Sequence, residues 1–204
     1  MSRRYFNWKL AIVLVISITL LTVTALGLRK WRNANSAEKG LDLGNKAYEE
    51  QNWEEAAKGL GRYIAVNQND VEALMKYADA QLKIRPTGAN HIQQAAEAYR
   101  RILRVELDNF EAAEQLTELY FLMGRYGDAE LIAGRQLETN PNPELKRLYA
   151  IALARQRKFQ EAAETLKNLC TENPDQVLAY ETTGQLAEQH PEEFFSRSAM
   201  DTNR

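Results

Sequence analysis

Two patterns of apolar and polar residues divide the chain. Residues Leu10 to Leu28 read LAIVLVISITLLTVTALGL and contain no charged side chain. From about residue 37 onward, apolar residues recur at helical spacing and alternate with short polar turns. The first pattern predicts one apolar helix, and the second predicts a series of short amphipathic helices. We therefore expect an all-α fold.

The apolar run has the length that a bilayer requires. At about 1.5 Å per residue, a helix over Leu10–Leu28 spans roughly the 30 Å hydrocarbon core. We expect a transmembrane helix there, after a basic tail (1–9) and before a linker (29–36). A buried core helix and a signal peptide cut after Ala25 are the alternatives, although the run is longer than the apolar region of most signal peptides. The expected localisation is that of a single-pass membrane protein with its N-terminus inside, but Arg29 and Lys30 also fit the opposite orientation.

A second pattern repeats along the rest of the chain. The stretch LGNKAYEEQNWEEAAKGL (43–60) has the same order of large, small, aromatic and alanine residues as 116–133 and 149–166. Small residues follow large ones at positions separated by 34, 39, 33 and 34 residues. A fixed period of this length indicates stacked helical hairpins. The small residues are Gly44, Ala78, Thr117, Ala150 and Gly184. We expect Gly44 and Ala78, together with Ala56 and Ala162, where the two helices of one unit cross closely.

With this spacing the sequence resembles the tetratricopeptide repeat family, whose unit is a 34-residue helix-turn-helix. Trp53, Tyr126 and Phe159 occupy the aromatic position of the turn, and Pro141 and Pro174 occupy the closing proline. The resemblance implies a right-handed superhelical solenoid of four repeats (37–70, 71–109, 110–142, 143–176), a capping helix or half repeat (177–189) and a flexible tail (190–204). The departures from the family pattern are Gln68 and Leu107 for proline, Gly40 and Ala133 for bulky residues, and Ile92 for the turn aromatic.

Charge and cysteine content limit the classes of partner and of covalent cross-link that the chain can have. Six of the 26 basic residues precede residue 33, whereas all 28 acidic residues follow it, which leaves a net charge of −8 in the remainder. This excess argues against a nucleic-acid partner, because phosphate binding needs clustered lysine and arginine. The single cysteine, Cys170, cannot form an intramolecular disulfide, and we expect it to be a small packing residue.

The residues that carry chemistry do not form a recognisable catalytic or cofactor motif. No nucleotide-binding glycine loop occurs, and GLGRY (59–63) falls inside an expected helix. His91 and His190 are far apart in the sequence, so neither suggests a metal or catalytic pair. We therefore expect no enzyme activity, cofactor, metal or small-molecule substrate.

The resemblance implies a groove lined by the first helix of each repeat, which would bind a protein or peptide. A carboxylate-gripping clamp is not expected, because Leu41 and Asp79 stand where that clamp would place a lysine and a second asparagine. Acidic and apolar positions instead favour a basic or amphipathic, membrane-associated segment. The candidate groove residues are Asn45, Tyr48, Glu49, Met75, Asp79, Leu82, Lys83, Glu114, Glu118, Phe121, Arg147 and Arg155.

Two functions fit these features. One is a membrane-tethered adaptor or assembly factor that binds membrane-associated proteins. The other is a structural spacer or self-assembly element, which could form the N-terminal part of a longer solenoid.

Overall fold

The computed structural model describes residues 8–139 and 141–192, and the regular secondary structure in those ranges is entirely helical. The chain divides into two compact units, Met1–Ala73 (unit 1) and Leu74–Arg204 (unit 2). The helical content confirms the expected all-α class. The helices are α1 (Trp8–Glu49), α2 (Trp53–Ile64), α3 (Val71–Lys83), α4 (Ala89–Val105), α5 (Phe110–Leu122), α6 (Tyr126–Thr139), α7 (Pro143–Arg155), α8 (Phe159–Glu172) and α9 (Val177–Gln189).

In unit 1, α1 and α2 form a hairpin in which glycines bring two backbones into contact. A Cβ atom at Gly44 would lie 2.7 Å from the backbone nitrogen of Leu60. A Cβ atom at Gly59 would lie 2.7 Å from the Cα of Gly44 and 2.8 Å from the carbonyl oxygen of Gly40. Gly44 therefore has the close-crossing role that we expected. Gly40, which departs from the family pattern, belongs to the same contact, since a Cβ atom there would lie 2.9 Å from the carbonyl oxygen of Gly59.

In unit 2, successive helices pack on one another from α4 to α9, and the first helices α5, α7 and α9 also pack side by side. Leu145 and Leu148 of α7 lie in one buried cluster with Ala113 and Ala133. Leu153 of α7 lies in a second cluster with residues of α8 and α9. Each helix buries one apolar stripe against its neighbours, which is how a repeat array gains stability.

Three turns between a first and a second helix share one backbone conformation. Each contains one residue with positive φ: Gln51 (58°), Gly124 (68°) and Arg157 (64°). The backbone N–H of the following residue donates to the carbonyl five positions earlier, which closes the C-terminus of the first helix. These hydrogen bonds are Asn52 to Ala47 (2.8 Å), Arg125 to Tyr120 (2.8 Å) and Lys158 to Leu153 (3.0 Å).

The turn aromatics lie where the repeat pattern predicts, at the first residue of α2, α6 and α8. Trp53 packs edge-on against Tyr48, with ring centroids 5.4 Å apart. Tyr126 packs against Phe121 at 6.2 Å. Phe159 is buried in the core and stacks on His190 at 4.2 Å. Each aromatic therefore anchors the start of a second helix.

The second hairpin has a longer turn, between Lys83 and Ala89. Arg85 donates to the carbonyl oxygens of Leu82 and Ile84 and to the hydroxyl of Thr87. The Arg85–Pro86 peptide bond is cis. The insertion is thus held by local hydrogen bonds.

The expectation of a transmembrane helix over Leu10–Leu28 is wrong. Over the residues that the structure describes, no helix is both long and apolar enough to cross a membrane. The side chains of residues 9–16 lie outside the described part of the chain. The expected localisation as a single-pass membrane protein falls with it. The expected linker (29–36) is helical, since α1 continues through it to Glu49.

The two terminal segments that the sequence predicts lie partly outside the residues that the structure describes. The basic tail (1–9) is described only from Trp8, and the flexible tail (190–204) only to residue 192. The repeat boundaries, and the role of α9 as a cap or half repeat, stay predictions.

Candidate protein-binding surface

The candidate groove residues all lie on the first helices of the hairpins, as the repeat register requires. Asn45, Tyr48 and Glu49 lie near the end of α1 in unit 1. The others lie in unit 2, on α3 (Met75, Asp79, Leu82, Lys83), α5 (Glu114, Glu118, Phe121) and α7 (Arg147, Arg155).

Five of these side chains interact in two groups within unit 2. On α3, Lys83 pairs with Asp79 at 2.7 Å, one helical turn apart. The opposite charges of Lys83 and Asp79 cancel, so this ion pair adds no excess charge to α3. Across α5 and α7, Glu114, Glu118 and Arg147 share one electrostatic environment. The acidic group is therefore centred on α5 and α7.

Arg147 is the cation at the centre of that group. Its Nε donates to both carboxylate oxygens of Glu144 at 3.1 Å, and its guanidinium forms an ion pair with the same carboxylate. The hydrogen bond to Glu144 raises the pKa of Arg147, and the nearby carboxylates of Glu118 and Glu114 act in the same direction. The charge of Arg147 is thus already shared among several acids. Glu144 was not among the predicted residues, although it lies one turn before Arg147 in the sequence.

Glu114 shows the effect of this crowding. Partial burial raises its pKa above the usual value of 4.5, and the neighbouring charges of Glu144 and Glu118 raise it further. Arg147 opposes the shift but does not cancel it. We call Glu114, Glu118, Glu144 and Arg147 the acidic cluster; three carboxylates against one guanidinium give it an excess of negative charge.

Apolar side chains lie near the end of the same helix. Phe121 is half-buried and packs against the cluster of Leu145 and Leu148. Leu122 next to it is 72% exposed. Arg155, at the end of α7, is also exposed. The face of α5 therefore combines carboxylates with accessible apolar surface.

A polar network that the sequence did not reveal joins α3 and α4. The Tyr77 hydroxyl donates to Gln94 at 2.6 Å, and the side-chain amide of Gln81 donates to the same oxygen at 2.9 Å. His91 is not isolated, since its Nδ1 lies 2.7 Å from Oε1 of the Gln81 side chain. Gln81 is almost fully buried, so these bonds satisfy its polar atoms. The network therefore has a structural role.

Within the part of the chain that the structure describes, no group of three His, Cys, Asp or Glu side chains is arranged to hold a metal ion. Cys170 is a free thiol, half-buried against the core formed by α7, α8 and α9.

The fold is that of a protein built from helical hairpin repeats. Residues 88–144 and 124–177 match the family model of the tetratricopeptide repeat, which supports that family for this region. No curated protein matches the chain.

Solved structures show the same fold at low sequence identity. A crystal structure of MamA is 15% identical, with a TM-score of 0.62 over 82% of this chain and 94% of that one. MamA from Desulfovibrio magneticus RS-1 is 14% identical, with a TM-score of 0.62 over 82% and 92%. YrrB, described as a TPR protein with an unusual peptide-binding site, is 14% identical, with a TM-score of 0.58 over 74% and 75%. At these identities the similarity concerns the fold alone.

Proposed function

We propose that this chain is a protein-interaction module that binds a basic, amphipathic segment of another protein on the surface of α5 and α7, and that it acts as an adaptor or assembly factor. The observation that carries the proposal is the acidic cluster. The peptide-binding site described for YrrB, a protein of similar fold, supports it.

The acidic cluster is suited to a cationic partner because its own charges repel one another. The pKa of Glu114 is raised first by partial burial and then by the charges of Glu144 and Glu118, so the ionised carboxylate is disfavoured in the free protein. A lysine or arginine placed beside Glu114 and Glu118 would offset that repulsion. Binding would therefore gain from attraction to the partner and from relief of repulsion within the cluster.

The apolar residues on α5 would determine which basic segments bind. Leu122 is well exposed, and Phe121 retains part of its ring surface. An amphipathic helix could place apolar side chains against these residues while its basic side chains face Glu114 and Glu118. A segment that is basic but lacks apolar residues should bind more weakly.

A binding assay with designed peptides tests this function. A labelled helical peptide with lysine and leucine on one face is titrated with the full chain, and fluorescence anisotropy gives Kd. The double variant Glu114→Gln, Glu118→Gln should raise Kd by about fivefold to tenfold, because each exposed ion pair contributes roughly 0.2–1 kcal/mol. The matched control, Glu161→Gln with Glu164→Gln on α8, removes the same charge elsewhere.

Equal losses in both double variants would mean that only net charge matters, and the proposed surface would be wrong. No loss in the Glu114 and Glu118 variant would have the same meaning. A native partner can then be sought by affinity capture with the full chain, with the double variant as the negative control.

A further inference from the structure

Unit 2 has a second surface whose charge is opposite to that of the acidic cluster. A cavity of about 290 Å³ opens between α4 and α6, the second helices of adjacent hairpins. Arg100, Arg104 and Arg135 lie around it together with Glu97. We call this opening the arginine cavity.

The arginines exceed the carboxylates available to them. Glu97 forms an ion pair with Arg100, lies 3.9 Å from Arg101 and lies 3.5 Å from Arg104. One carboxylate is therefore shared by three guanidinium groups. Arg135 is exposed and forms no ion pair with any residue that the structure describes. The local excess of positive charge contrasts with the net −8 of the chain after residue 32.

The wall and floor of the arginine cavity are apolar. Leu103 of α4 and Ile132 of α6 are partly buried, so each keeps some exposed surface, and Leu116 of α5 lies beneath them. Charged side chains around an apolar floor favour a ligand that has both characters. An inorganic anion would use the rim and leave the floor uncovered.

We propose that the arginine cavity binds an acidic amphipathic segment of a partner protein, with an apolar side chain on Leu103 and Ile132 and with carboxylates beside Arg104 and Arg135. Arginine is well suited to this task because its planar guanidinium binds carboxylates through two parallel hydrogen bonds. A cavity of this volume holds only a few side chains, which fits a short segment better than a broad folded surface.

This inference goes beyond the proposed function, since it adds a binding surface of opposite specificity. The residues of the arginine cavity are separate from those of the acidic cluster, so variants can change each surface independently. If both surfaces bind, the chain can hold an acidic and a basic segment together, which is what an adaptor requires.

Designed peptides also test the arginine cavity. A labelled helical peptide with glutamate and leucine on one face is titrated with the full chain. Arg104→Glu with Arg135→Glu should raise Kd at least about tenfold, because two attractive contacts become repulsive. Lys39→Glu with Lys167→Glu, which reverses two charges elsewhere, should change Kd less than about twofold. A second peptide with serine in place of leucine should bind several-fold more weakly than the first.

Three results would overturn the proposal: no binding by the wild-type chain at millimolar peptide, equal loss in both double variants, or equal binding of the two peptides. Sedimentation velocity examines the rival occupant, a second copy of this chain. Wild-type self-association that disappears in the Arg104 and Arg135 variant would assign the cavity to that copy and would contradict the partner proposal. Circular dichroism of each variant establishes that it is folded. The Glu114 and Glu118 variant should bind the acidic peptide as the wild type does, so this test is separate from that of the acidic cluster.

Discussion

The glycine contact between α1 and α2 leads to a prediction about the sign of a stability change. Gly59 lies in the interior of α2, where alanine normally stabilises a helix by about 1 kcal/mol relative to glycine. We expect Gly59→Ala to destabilise unit 1 instead, because the added methyl group has no space. The substitution therefore tests whether the two backbones are in direct contact.

The magnitude follows from the atoms around that methyl group. It would lie 2.7 Å from both the nitrogen and the Cα of Gly44, and 2.8 Å from the carbonyl oxygen of Gly40. Non-bonded carbon atoms prefer about 3.5–4.0 Å, so α1 and α2 must separate by about 1 Å. All three neighbours are backbone atoms and cannot move aside by changing rotamer. Overpacking costs about 1–3 kcal/mol, and the helix-propensity gain offsets about 1 kcal/mol of this, which leaves a net loss of up to about 2 kcal/mol.

Urea unfolding monitored by tryptophan fluorescence measures this loss locally. Trp53 begins α2 and packs against Tyr48, so its emission reports on the hairpin. Replacing Trp8 and Trp31 with phenylalanine leaves Trp53 as the only tryptophan of the chain. The midpoint of the Gly59→Ala transition should then fall without a change in slope.

Gly184→Ala is the matched control. Gly184 also lies inside a helix, α9, but a Cβ atom there would meet no atom within 4 Å. This substitution should stabilise the chain by about 0.5–1 kcal/mol, as measured by circular dichroism. If Gly59→Ala raised stability as Gly184→Ala does, the backbone contact would not exist and the reasoning would fail.

Three further predictions concern unit 2. Because its pKa is raised, folded Glu114 holds its proton more tightly than the unfolded chain does, so its contribution to stability is lost as pH rises above 4.5. Glu114→Gln should therefore be more stable than wild type at pH 7, by less than about 1 kcal/mol for this partly exposed group, and the difference should vanish below pH 4 in urea titrations. Asn142→Ala should cost about 1 kcal/mol in thermal unfolding, because the Asn142 side chain accepts hydrogen bonds from the first backbone N–H groups of α7. The control variant Asn168→Ala, on the exposed side of α8, should have little effect. Gly124→Ala should cost about 1 kcal/mol in the same assay, because Gly124 has a positive φ of 68°. A Cβ atom there would meet nothing within 4 Å, so any loss of stability reflects the backbone conformation. An unchanged unfolding midpoint would contradict this prediction.

The repeat pattern was a good guide to the helices of unit 2. Each helix buries a single stripe, and a stripe at helical spacing is visible in one sequence. The turn aromatics Trp53, Tyr126 and Phe159 marked the start of the second helices. The shared turn conformation was harder to see, because only Gly124 signals positive φ, whereas Gln51 and Arg157 adopt it with ordinary side chains.

The candidate site could be predicted only in part. The repeat register placed Glu114, Glu118 and Arg147 on first helices, but it did not show that they share one electrostatic environment. That fact depends on α5 packing beside α7, which also brings in Glu144. The hydrogen bond between His91 and Gln81 was missed for the same reason, since it joins residues of neighbouring helices.

The repeated turn has a consequence for divergence among such proteins. Its three copies read QNW, GRY and RKF, yet the same carbonyl is capped in each. A connection defined by backbone torsion can be formed by glycine or, at a cost of about 1 kcal/mol, by residues such as glutamine and arginine. Substitutions can therefore occur there without moving the helices that it joins. Structures can then remain superimposable when only about one residue in seven is still shared.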